Sequence, residues 1–458
     1  MTEGKSETRP EGERTRAWAV PFFTIWIGQA LSLVGSRVGG FALVWWLTRT
    51  SGSATVLATA SLVATLPGVL LGPIAGALVD RWSRKRVLFV ADSLVALFSA
   101  GLGLLAWTGR LQVWHIYVIM FVRALGGIFH WAAMQASTSL MVPKSQLQRI
   151  SGMDRSLWGV MSIITPPLGA LLMEVLDIPA IMAIDVLTAV FAIGPLFFVT
   201  IPQPKRRERS VETHRVASVW EDIQEGVVYL WRWTGMFIIL VMAALLNGTV
   251  NPAFSLAPIL VKDHFGGDAM QLGWVNSAWG IGIVLGGVVL SLWGGFKRKI
   301  MTSLVGLIGM GAGILVVAFT PASLFGMALI GMFVAGFMNP IINGPFMAII
   351  QDVVEPDIQG RVFTVVNSMA GAAAPLGMAI AGPVADRFGV QAWFFAGGVT
   401  TLLLGLVAGF VPAVVTVEDQ RRGAREDESD GVLAADEEAQ DNVQETQVSK
   451  PASLKGAE

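Results

Sequence analysis

Four ionisable side chains, Arg37, Asp92, Arg123 and Asp185, fall inside long apolar stretches of this chain. In hydrocarbon a lone charge is expensive, so such groups face a protein interior, paired or wetted, and often mark an ion or substrate path. An arginine stays protonated and cannot itself carry a proton; it can only act on a neighbouring carboxylate through its charge. Asp92 and Asp185 are the carboxylates that could exchange protons, and a fixed ion pair between helices is the competing reading of each. Arg37 could receive an anionic substrate group, pair with Asp92, or extend its cation to the outer surface.

Neutral polar groups occur at comparable depth. Asn247 and Asn251, Asn276, and Asn339 and Asn343 lie mid-stretch or one helical turn apart. With Gln29, Met134 and Gln135 they could line a wet cavity of mixed polarity, which suits bulky amphipathic ligands. Ordinary hydrogen bonding between helices is the alternative for any single Asn. Gly159 and Thr165-Pro166-Pro167-Leu168-Gly169, and later Pro375-Leu376-Gly377, are places where a helix could bend while its neighbours satisfy the freed backbone groups.

Other chemistries are excluded or disfavoured. With no cysteine among 458 residues there are no disulfides and no thiolate metal sites, and four scattered histidines argue against a zinc centre. No His pair, nucleophile elbow or phosphate loop is present; Gly4-Lys5-Ser6 lies too near the start to supply one. A formal net charge of -1 gives no sustained basic surface for nucleic acid. The expectation is therefore a non-enzyme without metal or cofactor.

The elements that must hold these residues are read from hydropathy. Charged residues make up 14% of the chain against 53% hydrophobic ones, and the mean hydropathy is +0.62, so the solvent of most side chains is lipid. Windows of about 20 apolar residues give about twelve spans. The first six are Val20 to Leu47, Ala54 to Val79, Val87 to Trp107, Val113 to Gln135, Gly152 to Met173 and Pro179 to Ile201. The second six are Met236 to Val261, Leu272 to Trp293, Ile300 to Phe319, Leu324 to Ile350, Val362 to Ala385 and Val390 to Val414. The expected fold is an all-α membrane protein of two pseudo-symmetric six-helix bundles. Its parts would be an N-terminal tail over 1–19, bundles over 20–201 and 236–414, a linker over 202–235 with an amphipathic helix around Val219 to Leu230, and a disordered acidic tail over 415–458.

Basic residues select the orientation. Arg81, Arg84, Lys85 and Arg86; Lys144 and Arg149; Lys205 to Arg209; and Lys297, Arg298 and Lys299 all fall in alternate loops. The other loops hold only Arg49, Arg110, Lys262 and Arg387. The rule that positive loops stay inside then puts both termini in the cytoplasm. The halves also echo one another: Pro143, Arg149, Ser156 and Pro167-Leu168-Gly169 in the first, Pro356, Arg361, Ser368 and Pro375-Leu376-Gly377 in the second. A duplicated six-span unit leaves such a trace.

Between the second and third spans the chain reads Gly76-Ala77-Leu78-Val79-Asp80-Arg81-Trp82-Ser83-Arg84-Lys85-Arg86. This resembles the signature loop of the major facilitator superfamily, with Ser83 where the family usually has Gly. Together with Trp45-Trp46-Leu47-Thr48 and Gly52-Ser53-Ala54-Thr55, it is similar to the macrolide-efflux branch of drug:proton antiporters, over about Pro21 to Pro412. The resemblance implies a gating loop in which Asp80, backed by Arg84 or Lys85, latches onto the start of the eleventh span near Arg361 in the outward-open state. It also implies a coupling role for Arg123, followed by Gly126-Gly127, and an antiporter bend at Gly159 to Gly169, where Pro166 and Ala170 depart from the pattern. The counterpart Gly294 to Lys299 lacks the acid. Gly382-Pro383-Val384-Ala385-Asp386-Arg387-Phe388-Gly389 mimics the signature on the opposite side and is read as a capped helix end, not a second latch.

The function so implied is export of small amphipathic compounds, drug-like or macrolide-like, driven by the proton gradient through alternating access. The setting would be the plasma (inner) membrane, with lipid and a small-molecule substrate as partners, no nucleic acid, and a monomeric state. An uptake carrier of the same fold and a non-transporting receptor are the alternatives.

Overall fold

The structure, a computed structural model, describes residues 18–79, 81–203, 233–354 and 359–419. Twelve of its helices are long and apolar enough to cross a membrane. We number them α1 Ala19–Ser51, α2 Ala54–Val79, α3 Arg84–Trp107, α4 Val113–Met141, α5 Leu147–Val175, α6 Ile178–Phe198, α7 Thr234–Ser255, α8 Ala269–Trp293, α9 Lys299–Phe319, α10 Phe325–Val353, α11 Gln359–Phe388 and α12 Val390–Ala408. Most run past the apolar windows read from the sequence, because a helix does not end where hydrocarbon does. Thus α1 continues to Ser51, α4 reaches Met141, and α7 is prolonged through Ala257–Ile259 and a π turn at Leu260–His264. Arg84, Lys85 and Arg86, read as loop, form the first turn of α3, where Arg84 is buried.

Helix pairing repeats with a shift of six. Helix α1 packs on α6 and α5, α3 on α6 and α4, and α2 on α4; in the second bundle α7 packs on α12 and α11, α9 on α12 and α10, and α8 on α10. The same geometry from two unlike sequences is the mark of a duplicated unit. Large apolar side chains such as Leu97, Leu187, Phe198 and Leu292 stay exposed, as lipid-facing groups must.

The bundles meet along two seams, α2 with α11 and α5 with α8. Both seams are tight at one end and slack at the other. A Cβ at Gly382 would stand 2.7 Å from Thr55 Cα, one at Gly371 would stand 3.8 Å from Val69, and one at Gly68, Gly72 or Gly76 would meet nothing within 4 Å among the described residues. Likewise a Cβ at Gly273 or Gly280 would come within 3.1 Å of Pro167 or Ser162, one at Gly159 would lie 3.7 Å from Val284, and Gly152 and Gly287 face open space. The closed end also shares one apolar core, in which Leu47, Leu57 and Ala58 of the first bundle contact Leu256, Ile259, Ala381 and Ala385 of the second. The bundles therefore diverge toward the end that bears the basic loops.

Beyond α12 the chain turns through a short helix, Pro412–Val415, and Glu418 accepts a hydrogen bond at 2.7 Å from the Ile300 amide at the start of α9. Val414 and Val417 are buried. The segment expected to be disordered from 415 thus begins with an ordered cap. The rest of that tail, and the linker with its amphipathic stretch, lie outside the described residues.

Candidate functional site

Two polar layers are stacked inside the first bundle. In the deeper one Asp185 of α6 is ion-paired with Arg123 of α4 and also accepts from the Ser36 hydroxyl of α1 at 2.8 Å and the Ser99 hydroxyl of α3 at 2.7 Å. Arg123 also donates to the Ser36 carbonyl at 2.7 Å. Asp185 is 2% exposed, so four helices converge on a carboxylate sealed from water. Such a group is held by its donors and is costly to leave unpaired.

The second layer lies nearer the basic-loop end. Asp92 of α3 accepts from Gln29 of α1 at 2.8 Å; the Gln29 carbonyl oxygen is 2.8 Å from His130 Nε2 of α4; and His130 Nε2 is 3.6 Å from Asp92. With Asp92 11% and His130 27% exposed, this trio is reachable by water where Asp185 is not. An imidazole beside a carboxylate, with one amide touching both, can hold or pass a proton. His130 went unread in the sequence because four scattered histidines suggested only the absence of zinc. Its signal was the spacing of seven from Arg123, which puts both on one face of α4.

Arg37 pairs with neither Asp92 nor the outer surface. Its guanidinium lies 4.4 Å from the ring centroid of Trp158 on α5, and Trp158 meets Trp131 of α4 edge-on at 6.1 Å. The physical reason is that Asp92 is taken by Gln29 and His130, one layer away.

The proposed cavity residues do not assemble as a set. Gln29 belongs to the trio, Met134 packs in the apolar core of the first bundle, and Gln135 is exposed. Asn247, Asn276 and Asn343 each donate to the backbone carbonyl four residues earlier, and Asn251 donates to Asn247. Intrahelical bonding therefore replaces the expected bonding between helices. Asn247 and Asn343 nevertheless line a cavity of about 250 Å³ in the second bundle, with Met242, Ser303, Phe346 and Ala370. Asn339 is half-buried on the same helix as Asn343.

Pro166 and Pro167 sit within the unbroken helix α5 and form the seam against Gly273 of α8, while Gly169 lies against the Phe41 ring. Pro375 lies within α11, whose Gly377 abuts the Gly248 backbone of α7. In the signature loop, Asp80 lies outside the described residues, as does the side chain of Arg361. Gly76 and Arg81 are exposed; Lys85 reaches the Phe197 carbonyl at the end of α6 at 3.4 Å; and Arg86 lines a surface recess with Trp82 and Phe129.

Asp386 corrects one expectation. It ends α11, yet it does not cap its own helix: its carboxylate accepts from the Ala54 amide at 2.6 Å, the Thr55 amide at 3.0 Å and the Ser53 hydroxyl at 2.9 Å. These belong to the start of α2 in the other bundle. The first amides of a helix lack intrahelical partners and attract an anion, so the second bundle supplies the N-cap of the first. The mimic of the signature thus joins the two bundles instead of closing its own helix.

Among the described residues, no three His, Asp or Glu side chains converge as metal ligands. Taken together, the paired bundles, the seams open at one end and the buried charges define a membrane transporter. The sequence profile described as transmembrane secretion effector matches residues 18–439. The macrolide efflux protein A of Streptococcus pyogenes is 32% identical over 399 residues, covering 87% of this chain and 98% of that protein. The multidrug efflux pump Tap of Mycolicibacterium fortuitum is 28% identical over 402 residues, covering 86% and 96%. Among solved structures, the nucleoside transporter NupG superposes with a TM-score of 0.63 at 13% identity, over 84% of this chain and 98% of that one. A bacterial homologue of the lysosomal transporter Spinster, inward-facing and unoccupied, gives 0.63 at 12% identity over 88% and 95%. The chain belongs to the transmembrane secretion effector family and is an efflux-type, multi-pass membrane transporter of the major facilitator superfamily.

Proposed function

We propose that the chain exports amphipathic small molecules from the cytoplasm by exchanging them for protons, the two bundles giving access to each side of the plasma membrane in turn. The observation that carries this reading is the graded opening of both seams, closed at the Asp386 latch and slack beside Gly72 and Gly152. The positive-loop rule assigns the basic-loop end to the cytoplasm, so this open state is one into which cytoplasmic cargo can load. The names of the efflux relatives favour export, and drug-like or macrolide-like cargo, over uptake.

For coupling we assign the exchangeable proton to Asp92 and His130 and a holding role to Arg123 and Asp185, because the Asp185 carboxylate is 2% exposed and closed in by its donors while Asp92 is 11% and His130 27% exposed. The Asp80 loop is proposed as the complementary latch, engaging the start of α11 when the basic-loop end closes. Everted vesicles test the whole: a proton gradient acid inside should drive cargo accumulation, and its collapse should release that cargo. Accumulation indifferent to the gradient would remove proton coupling, and accumulation only in right-side-out vesicles would reverse the direction.

A further inference from the structure

Among the described residues, the acids that face Arg37's half of the first bundle are engaged, and Glu174 is exposed near the far end of α5. Asp185 is held by Arg123, Ser36 and Ser99, Asp92 by Gln29 beside His130, and Asp154 accepts from the Trp26 indole at 2.7 Å. Arg37 has no such partner. Among the described residues its guanidinium makes the contact with the Trp158 face and neither an ion pair nor a hydrogen bond. It stands 18 residues into the 33-residue α1, about 27 Å along a helix of about 50 Å and so near its middle. A cation at that depth without a counter-ion is the costly arrangement that membrane proteins avoid unless a ligand supplies the missing charge.

The surroundings suit such a ligand. Trp158 is 44% exposed and Trp131 52% exposed, on helices α5 and α4, and their rings meet edge-on, Trp158 lying against Arg37 of α1. Trp158 precedes Gly159, the level at which the α5–α8 seam begins to part. Two broad aromatic edges beside a guanidinium offer stacking for a flat ring and a bidentate donor for a carboxylate or sulfonate.

We propose that Arg37, Trp158 and Trp131 form a cargo subsite selecting amphipathic compounds that carry an anionic group next to an aromatic ring. This rests on the export reading and narrows its substrate class. A cationic compound would meet the Arg37 charge, with Asp185, Asp92 and Asp154 already taken by their own donors.

Equilibrium binding to the full chain in nanodiscs tests this with two probes on one scaffold, dansylglycine as the anion and N-dansylethylenediamine as the cation. The anion should bind saturably with a Kd at least about tenfold lower than that of the cation. Arg37→Gln should erase the preference, Arg37→Lys should keep part of it, and Trp158→Leu should weaken both probes. A cation bound as tightly as the anion, no saturable binding of the anion, or a preference that survives Arg37→Gln overturns the proposal. Binding is read without any gradient, so its failure is distinguishable from failure of proton-driven export, which the vesicle flux reports separately.

Discussion

Asp386 and Ala54 stand 332 residues apart in the chain and 2.6 Å apart in space, a carboxylate of one bundle accepting the first amide of a helix in the other. With Thr55 and Ser53 completing the cap, this is a charge-assisted bond placed where, on the proposed cycle, the bundles separate for release. Asp386→Asn should shift the population toward an opened outer end by about tenfold, the value of one weakened charged hydrogen bond of about 1.5 kcal/mol. The chain has no cysteine, so spin labels on Thr108→Cys and Asp263→Cys, both exposed at that end, report the change as a longer inter-bundle distance. An identical distance distribution in the variant would argue against the latch.

The open face of α2 makes a second prediction. Closing the basic-loop end should bring α11 down on Gly68, Gly72 and Gly76, as it already lies on Thr55 at the other end. Gly72→Leu should therefore leave stability within about 1 kcal/mol, because its side chain meets open space in the present state. Transport should fall at least about tenfold while cargo binding persists. Transport at the normal rate would show that the stripe is not a docking face.

The two polar layers should respond differently to substitution. Arg123→Ala leaves Asp185 buried without its cation and should cost about 3–5 kcal/mol, seen as a large fall in the thermal unfolding midpoint in detergent. Asp92→Asn and His130→Gln should unfold near the wild-type temperature, retain exchange of cargo across vesicles without a gradient, and lose gradient-driven accumulation. If Asp92→Asn still accumulates cargo against a gradient, the proton travels elsewhere.

Glu418 supplies the cap of α9 from the far end of the chain. Glu418→Ala should lower stability by about 1 kcal/mol, the usual worth of an N-cap, with transport unchanged. A fall in transport without a fall in stability would instead assign this segment a part in the cycle.

Twelve spans, their pairing into halves and the basic face were legible in the sequence because lipid imposes a length and a polarity rule on each helix separately. The sites were legible only as residue types. That Arg123 meets Asp185 and not Asp92, or that Gln29 joins Asp92 to His130, depends on how helices distant in sequence rotate against one another, and hydropathy carries no rotation. Asp386 shows the same limit. Its motif read as a helix end, which it is, but the amides it caps belong to a helix more than three hundred residues away. The bonding of the Asn residues was not legible either, because a polar side chain in a membrane helix can turn back on its own backbone, as Asn247 and Asn343 do while lining a cavity.

The seams join backbone to small residues and proline rings: Gly382 on Thr55, Gly273 on Pro167, Gly280 on Ser162. Surfaces of that kind carry few interlocked teeth, and the large side chains that do interdigitate, Leu47 and Leu57 with Leu256 and Ile259, are gathered at the closed end. Among the described residues the polar ties across the seams are then few, the Asp386 carboxylate on its three donors and the Ser277 hydroxyl on the Ile163 carbonyl at 2.8 Å, and on the proposed cycle the ease of parting the halves depends on how firmly that aspartate grips.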